Sequence, residues 1–406
     1  MALDRTRMYQ LPWSPTDNPG AWVEVTDACD LSCPGCYRHP LVGHVPLAQV
    51  EADVLTIKRL TNCDRVAIAG GEPLLYPRIL EVVEFIARQG LKPLLLTHGE
   101  RLTLELLRDL RRAGLVRVQI HVDSQMERHG WSGKNEAEMN ELRQHFADLV
   151  WKAGVQCAFS ITVFPQTLPH LPRVLEWCRH NVHKVQHVSL IAFRGIPVGD
   201  EYEYQVNGQA VDARALRHAT DCGCSLRVTS DDMYAELRAQ DPGFRAAVYM
   251  PGTTAPETNK FLVAVQLGSA SGVWGCLGAR TVEAVQIGHH FWTGRYLEFA
   301  RDPNAGKKTF LMALVDPFVR DAFKRWAGAV LRSPRRFFDG LHVQTIALQQ
   351  PAEILDGRTN LCGGCPNMMA WRGELIPSCR LDEYRLFGGP VMPVRRVAAA
   401  VRTELG

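Results

Sequence analysis

Short apolar runs alternate with helical patterns through the first half of the chain. Between these runs, apolar side chains recur at helical spacing, as they do at Ile79, Val82, Val83 and Ile86. Repeated strand–helix units of this kind predict an α/β fold with a parallel sheet covered by helices. Six of the runs are predicted as strands, at residues 22–26, 65–69, 92–97, 116–122, 155–163 and 185–193.

The regular alternation ends after Gly195. Residues 196–258 mix glycine, aspartate and tyrosine with short helical pieces, and a strand-like apolar run at 261–265 opens the last part of the chain. The change in pattern predicts a large first domain, a bridging region and a smaller C-terminal α+β domain, at residues 1–200, 201–260 and 261–406.

Composition limits the functional classes. The chain has 406 residues, of which 46% are hydrophobic, and a formal net charge of +3, too small to indicate a nucleic-acid partner. Its start lacks the apolar segment of a signal peptide, and no run of about 18 apolar residues is present. We therefore expect a cytoplasmic protein whose clustered cysteines bind metal or act in catalysis instead of forming disulfides.

Three cysteines near the start of the chain form a candidate metal site. Cys29, Cys33 and Cys36 have C-x3-C-x2-C spacing. A [4Fe–4S] cluster held by three thiolates keeps one iron open for a small molecule, whereas four thiolates would close it. The alternative is a zinc knuckle completed by His39 or His44, because zinc usually takes four ligands.

This cysteine run resembles the signature of the radical S-adenosylmethionine (radical SAM) superfamily. The later run Gly70-Gly71-Glu72-Pro73 is similar to the "GGEP" segment of that family. The resemblance implies a partial (β/α)6 TIM-like barrel, with a [4Fe–4S] cluster and SAM bound at the carboxyl ends of the strands. Both motifs follow predicted strands and so fall at those ends.

The resemblance also implies a set of SAM contacts. Gly70 and Gly71 would allow close approach of the ligand, and Glu72 would pair with the SAM amine, although a tight turn with a solvated glutamate is the simpler reading. Tyr37 would pack near the adenine or lie in the core. The remaining candidates lie on or directly after the second, fourth, fifth and sixth strands and could equally be satisfied inner or exposed side chains: Pro73, Asp123, Ser124, Ser160, Thr162 and Arg194.

A second cysteine group lies near the C-terminus. Cys362, Cys365 and Cys379 have C-x2-C-x13-C spacing, and Cys379 ends a predicted hairpin made of residues 368–371, a turn at Arg372-Gly373 and residues 374–379. The pattern resembles the auxiliary-cluster region of molybdopterin-precursor cyclases and of SPASM and Twitch domains. It implies a second [4Fe–4S] cluster, and half of a zinc ribbon is the alternative.

The fourth ligand of this second centre is open. Cys276 is the first candidate and would close the cluster, while Cys222 and Cys224 are an alternative source. If Cys276 does not bind the cluster, an open iron could hold substrate.

Residues 307–338 form a basic amphipathic segment. Apolar side chains recur there at helical spacing among many lysines and arginines, and Pro317 should interrupt or restart the helix. Such a segment can lie in a membrane interface or cover an apolar substrate. The simpler interpretation is a surface helix that packs one face on the core.

The resemblance implies an enzyme that reductively cleaves SAM to a 5′-deoxyadenosyl radical, with a flavodoxin- or ferredoxin-type electron donor. The radical would abstract hydrogen from an unactivated C–H bond of a small-molecule, lipid or peptide substrate. No residue stands out as a catalytic hydrogen donor. The competing hypothesis is a non-catalytic iron–sulfur or zinc protein that transfers electrons or binds a partner.

Overall fold

The computed structural model describes residues 3–33, 36, 38, 43–220, 227–299, 302 and 304–396. Its strands are β1 (Tyr9–Gln10), β2 (Gly20–Thr26), β3 (Arg65–Gly70), β4 (Lys92–Thr97), β5 (Arg117–His121), β6 (Gln156–Val163), β7 (Val185–Ala192), β8 (Ile196–Pro197), β9 (Tyr202–Val206), β10 (Gln209–Val211), β11 (Ala219–Thr220), β12 (Val248–Pro251), β13 (Asn259–Ser269), β14 (Gly272–Cys276), β15 (His342–Gln349), β16 (Glu353–Leu355), β17 (Arg358–Asn360), β18 (Met368–Trp371), β19 (Glu374–Pro377) and β20 (Met392–Arg395). Its helices are α1 (Leu47–Leu60), α2 (Ile79–Arg88), α3 (Leu104–Arg112), α4 (Asn140–Ala153), α5 (Leu171–His180), α6 (Ser230–Gln240), α7 (Ala279–Thr293), α8 (Ala305–Thr309), α9 (Pro317–Arg332) and α10 (Leu381–Phe387).

The six predicted strands are present as β2 to β7, each within two residues of its predicted ends. Each pairs in parallel with the next in the order of the sequence. Helices connect successive strands and bury their apolar stripes against the sheet, as α2 does with Val82, Val83 and Ile86. The predicted partial barrel is therefore confirmed.

The sheet extends beyond these six strands into the C-terminal part of the chain. β15 adds in parallel to β7, and β18 adds in parallel to β2. Antiparallel β13 and β12 continue the sheet past β15. A partial barrel has two open edges, here β2 and β7. The C-terminal strands β18 and β15 pair with them. The sheet thus crosses the boundaries expected between the three regions.

The segment with Cys362 and Cys365 runs between the two ends of this sheet. Cys362 forms a β-bridge with Gly252, just after β12, and the amide of Gly363 donates to the Pro251 carbonyl at 3.0 Å. Six residues after Cys362, Met368 pairs with Ala21 in β2. This short segment therefore closes the gap between β12 and β18.

The predicted C-terminal hairpin is confirmed in register. β18 and β19 pair antiparallel, with Trp371 opposite Glu374. The two turn residues, Arg372 and Gly373, have φ angles of +49° and +86°. A two-residue turn with positive φ at both positions matches the right-handed twist of the paired strands.

The expected bridging region has a small sheet and apolar core of its own. β9 pairs with β10 on one side and with β20 on the other. Tyr204, Val206, Leu216 and Val391 pack in a cluster beside this sheet. The strand β20 from the end of the described chain therefore attaches the bridging region to the C-terminal part.

The basic segment contains the predicted helix restart. α9 begins at Pro317, and the Asp316 carboxylate caps it by accepting from the Phe318 amide at 3.0 Å. α9 buries Val319, Ala322 and Ala329 on its inner face. None of the helices in the described ranges is both long and apolar enough to cross a bilayer.

The ends of β2 and β3 approach each other unusually closely. Gly71 donates its amide hydrogen to the Thr26 carbonyl, and the Glu72 amide donates to the Ala28 carbonyl, both at 2.8 Å. A Cβ at Gly70 would lie 2.1 Å from the Thr26 oxygen, and its φ of +138° disfavours any other residue. The segment that leads into Cys29 is thus held against the β3 end by backbone contacts.

We expect Gly70→Ala to lower the free energy of unfolding by at least about 2 kcal/mol, because it adds both a clash and backbone strain. The matched control is Gly288→Ala inside α7, where a Cβ would meet nothing within 4 Å. That control should raise stability by about 0.5–1 kcal/mol through helix propensity. Chemical denaturation of both variants checks this, and equal stability of Gly70→Ala and wild type would contradict it.

Candidate active site

The carboxyl ends of the parallel strands open onto one cavity of about 440 Å³. Cys29, Cys33 and Cys36 line it, together with Gly70 and Gly71 at the end of β3. The cysteine motif and the glycine motif therefore meet at one rim, as their positions after β2 and β3 predict.

The cysteine loop is fixed at its base by Thr26. The Thr26 hydroxyl donates to the Gly43 carbonyl at 2.9 Å, accepts from the Ala28 amide at 3.1 Å and contacts His44 Nδ1 at 2.8 Å. These bonds join the two ends of the loop. His44, one of the two histidines considered for zinc, is therefore engaged at the loop base, and His39 lies outside the described residues.

A polar group lies directly beside Cys29. Ligand atoms of Cys29, Asp30 and His98 all lie within 4.8 Å of one another. His98 Nε2 is 2.7 Å from Asp30 Oδ1, and Arg101 donates to the same carboxylate at 3.0 Å. Partial burial alone would raise the pKa of Asp30, but the bonds from His98 and Arg101 outweigh it and hold that pKa below its ordinary value.

Glu72 does not line the cavity and is committed to the protein itself. It is fully buried, and its carboxylate accepts from the Thr97 hydroxyl at 2.7 Å and from the amides of His98 at 2.8 Å and Leu74 at 2.9 Å. The direct pair of Glu72 with the SAM amine stays a prediction. Glu72 ties the β3 end to the β4 end, and the buried Pro73 beside it begins a 3-10 turn.

His121 organises the rim at the ends of β5 and β6. Its Nε2 is 2.7 Å from Asp123 Oδ2, and its Nδ1 is 3.1 Å from the Ser160 hydroxyl. Thr162 contacts it at 3.3 Å. Burial would raise the pKa of Asp123, but the bond and charge of His121 and two backbone amides lower it. The predicted candidates Asp123, Ser160 and Thr162 all line the cavity. His121, which the sequence interpretation had not selected, contacts all three.

Ser124 lies apart from this wall. It is not among the cavity-lining residues, and its backbone amide donates to Glu136 Oε2 at 2.9 Å. Glu136 in turn pairs with the fully buried Arg143. Ser124 therefore belongs to the support of the β5 end, and the structure gives it no place in the cavity.

Two arginines connect the rim to the C-terminal cysteine group. Arg194 lines the cavity, donates to the Cys379 carbonyl and bonds Glu383 of α10 at 2.8 Å. Arg38 also lines the cavity, and it donates to the Ser378 carbonyl at 2.8 Å. Arg194 is thus buried and engaged, which excludes the simpler interpretation as an exposed arginine.

The three C-terminal cysteines are neighbours, and Cys379 lines the cavity. Burial, with the adjacent Cys362 and Cys379, raises the pKa of the Cys365 thiol well above its ordinary value. Burial likewise raises the pKa of Cys362 to about 12, although the nearby Lys260 ammonium opposes that rise. Lys260 is fully buried and bonds Glu353 at 2.8 Å. The positive charge of Lys260 favours the thiolate form of Cys362. The sequence pattern did not indicate that Lys260 lies there.

Cys276 does not join that group. It pairs with Gln266 near one end of β13, whereas Cys362 adjoins Gly252 beyond the other end. The seven residue steps from Asn259 to Gln266 place the two cysteines roughly 20 Å apart. The structure therefore gives Cys276 no role as the fourth ligand. Tyr37, Cys222 and Cys224 lie outside the described residues.

The inner wall of the cavity carries polar side chains that sequence interpretation missed. His187 Nδ1 is 2.5 Å from the Thr345 hydroxyl, and its Nε2 is 2.7 Å from the Ser189 hydroxyl. Burial, with the charges of Arg117 and Arg65, lowers the pKa of His187 to about 3, so the ring is neutral. The signal was present: His187 and Ser189 alternate with buried Val188 and Leu190 along β7.

Comparison with protein families identifies the first part of the chain. The radical SAM superfamily model matches residues 23–178, which run from β2 into α5. Residues 23–178 are a radical SAM domain. This domain holds Cys29, Cys33 and Cys36 and the glycine motif, whereas β7, Arg194 and the C-terminal cysteines lie beyond it.

Individual relatives share only parts of the chain with it. The AdoMet-dependent heme synthase of Oleidesulfovibrio alaskensis is 24% identical over 204 residues, covering 46% of this chain and 51% of that protein. The GTP 3′,8-cyclase of Geobacter sulfurreducens is 37% identical over 112 residues, covering 25% of this chain and 33% of that enzyme. The chain thus spans about half or less of these curated relatives.

Among solved structures, Streptococcus suis SuiB bound to S-adenosylmethionine aligns with a TM-score of 0.39 and 15% identity, over 55% of this chain and 47% of SuiB.

Cys29, Cys33 and Cys36 of the radical SAM domain offer three soft thiolates, the kind of donor that suits a [4Fe–4S] cluster. Thiolates around one tetrahedral zinc lie about 3.8 Å apart, given Zn–S bonds of about 2.3 Å. Among the described residues, no group of three ligand atoms within 4.8 Å contains more than one cysteine. In neither cysteine group do the three sulfur atoms all lie within 4.8 Å of one another, so neither group is arranged around a single zinc ion in this structure.

We expect His187 to make the stability of the protein sensitive to acid. Its folded pKa of about 3 lies below the ordinary value of 6.5, so the unfolded chain binds a proton that the folded chain does not. Stability should therefore fall as the pH falls from about 6 to 4, by about 1.4 kcal/mol per pH unit more in wild type than in His187→Gln. Urea denaturation of both proteins over that range checks it; parallel curves would contradict it.

Proposed function

We propose that this chain is a radical SAM enzyme that reductively cleaves SAM and uses the 5′-deoxyadenosyl radical to abstract hydrogen from an unactivated C–H bond. The observation that carries the proposal is one cavity lined by Cys29, Cys33 and Cys36 of the radical SAM domain and by Cys379 of the C-terminal group. An open iron site held by the first three cysteines would therefore adjoin a substrate-sized space.

Different residues around this cavity would bind the cluster and contact SAM. Cys29, Cys33 and Cys36 would hold the cluster, which supplies the electron that cleaves bound SAM. Gly70 and Gly71 line the cavity with backbone atoms only, which would suit close approach of the methionyl part of SAM. The His121 network would present Asp123, Ser160 and Thr162 to polar atoms of the ligand. A flavodoxin- or ferredoxin-type protein would deliver the electron.

We further propose that Cys362, Cys365 and Cys379 hold a second [4Fe–4S] cluster. Support comes from their mutual proximity, from the spacing of the motif and from the buried Lys260 that offsets negative charge beside Cys362. The cluster would face the cavity through Cys379, within reach of a substrate or of its radical.

The inner cavity wall favours a largely apolar substrate that carries a polar group. Leu94, Leu96, Phe261 and Val263 line it, which suits an apolar body. The His187 ring, held between Ser189 and Thr345, offers an uncharged hydrogen-bonding site among them. Small-molecule, lipid and peptide substrates with such a portion all satisfy this description.

Anaerobic reconstitution, followed by dithionite and SAM, tests the radical chemistry. We expect wild type to form 5′-deoxyadenosine and Cys36→Ala to lose at least about a hundredfold of that activity, because the cluster would lack a ligand. Cys276→Ala, on β14 and away from the cavity, is the matched control and should retain it. An intact cluster that forms no 5′-deoxyadenosine would support the non-catalytic iron–sulfur alternative.

Iron counting tests the second cluster separately. Replacing Cys362, Cys365 and Cys379 together by alanine should remove about four iron atoms and leave the iron of the radical SAM domain. Cys276→Ala should change the iron content little, since Cys276 lies apart from both groups. Stoichiometric zinc in place of iron in the purified wild-type protein, or unchanged iron in the triple variant, would contradict the proposal.

A further inference from the structure

The described part of the chain has one concentrated set of exposed apolar side chains. Six large apolar residues are more than three-quarters exposed, and all of them lie between residues 291 and 338. They are Phe291, Trp292, Leu311, Leu314, Leu331 and Phe338. Elsewhere, the exposed apolar residues are scattered and less exposed, as Leu55 is at 48% and Leu80 at 38%.

Folding does not require these side chains to be apolar. The 3-10 turn at Phe310–Leu314 directs Phe310 and Met312 into the core beside β13, whereas Leu311 and Leu314, three residues apart, project at 82% and 87% exposure. α9 likewise satisfies the core through its inner face, with Val319 and Ala322. The outward leucines therefore add exposed apolar area without stabilising the fold.

Aromatic rings from three elements support this surface. Phe310, Phe323 and Trp326 contact one another with ring centroids 5.2–6.1 Å apart, and Phe337 adjoins Trp326 at 6.0 Å. Phe338 extends from Phe337 at 84% exposure. The rings form a half-exposed platform from which the most exposed side chains project.

The same segment carries an excess of positive charge. Residues 307–338 contain eight lysines and arginines but only two acidic residues, of which Asp316 is buried. Among the described residues, only Lys308 of the eight has a carboxylate within 4.0 Å, that of Asp302. Arg320 and Arg332 reach only backbone carbonyls. These cations are therefore available for negative charge outside the chain.

We propose that residues 307–338 form an interfacial surface that binds an anionic lipid bilayer. Projecting leucine and phenylalanine side chains beside lysine and arginine are the combination that inserts into the headgroup boundary of such a bilayer. A basic side chain near an anionic surface contributes about a fivefold gain in binding, and this contribution is screened by salt. The alternative ligand for this surface is a protein partner, which would have to carry a complementary acidic surface.

The test uses the full chain and sedimentation with two kinds of vesicles, pure phosphatidylcholine and phosphatidylcholine with one-third phosphatidylglycerol. We expect binding to the anionic vesicles at low salt and a loss of at least about tenfold at about 1 M salt, where the Debye length is about 3 Å. Pure phosphatidylcholine should bind at least about tenfold more weakly. No binding to anionic vesicles at any salt would overturn the proposal.

Two double variants make the test specific. Leu311→Ser with Leu314→Ser should weaken vesicle binding at least about tenfold while leaving the melting temperature unchanged, because both side chains are more than four-fifths exposed. Leu55→Ser with Leu80→Ser, on α1 and α2, is the control and should bind as wild type does. Equal binding of both double variants would overturn the proposal.

Self-association through this surface is the remaining outcome to distinguish. Sedimentation velocity without lipid would show a dimer that Leu311→Ser with Leu314→Ser dissociates. Such a dimer, together with no vesicle binding, would assign the surface to a second copy of the chain and overturn the lipid proposal.

Discussion

The backbone contact between the ends of β2 and β3 is the interaction on which the candidate site depends. Gly71 and Glu72 donate to the Thr26 and Ala28 carbonyls just before the chain reaches Cys29. Because the contact is made by backbone and requires glycine at Gly70, it places the start of the thiol-bearing loop without using the cysteine side chains. The cysteines are therefore positioned by the sheet and stay available for a metal centre.

The same sheet sets the distance between the two cysteine groups. β18 pairs with β2, so the hairpin that precedes Cys379 is part of the frame that carries Cys29. Arg38 and Arg194 add direct bonds from the rim to Ser378 and to Cys379. A cavity between two groups held by one continuous sheet keeps its dimensions when a ligand enters, which is what positioning a reactive radical requires.

The sequence predicted those features of the fold that depend on residues close together in the chain. The six strands, the hairpin turn at Arg372 and Gly373 and the restart of the helix at Pro317 follow from side-chain periodicity and from backbone preferences of single residues. The roles of Glu72 and Cys276 depend instead on which distant segment lies beside them. Glu72 accepts hydrogen bonds from Thr97 and His98 at the end of the neighbouring strand. Cys276 lies far from Cys362 because it pairs with Gln266, near the opposite end of β13. The residues next to Glu72 and Cys276 in the sequence do not indicate either of these contacts.

The candidate site shows the same division. Asp123, Ser160 and Thr162 could be selected because they stand at strand ends, but the histidine that links them is recognised only when β5 and β6 are side by side. His187 and Thr345 are more than 150 residues apart in sequence and meet because β15 inserts next to β7. Side chains contributed across such a pairing cannot be read from one strand alone.

The pairing of β18 with β2 also has a consequence during synthesis. Until residues 368–371 have left the ribosome, β2 has an unpaired edge that exposes backbone donors and acceptors. An N-terminal fragment that ends after the radical SAM domain would keep that edge open beside its cysteine loop. The β2 edge of the nascent chain therefore stays open to edge-to-edge association until β18 has been made and pairs with it.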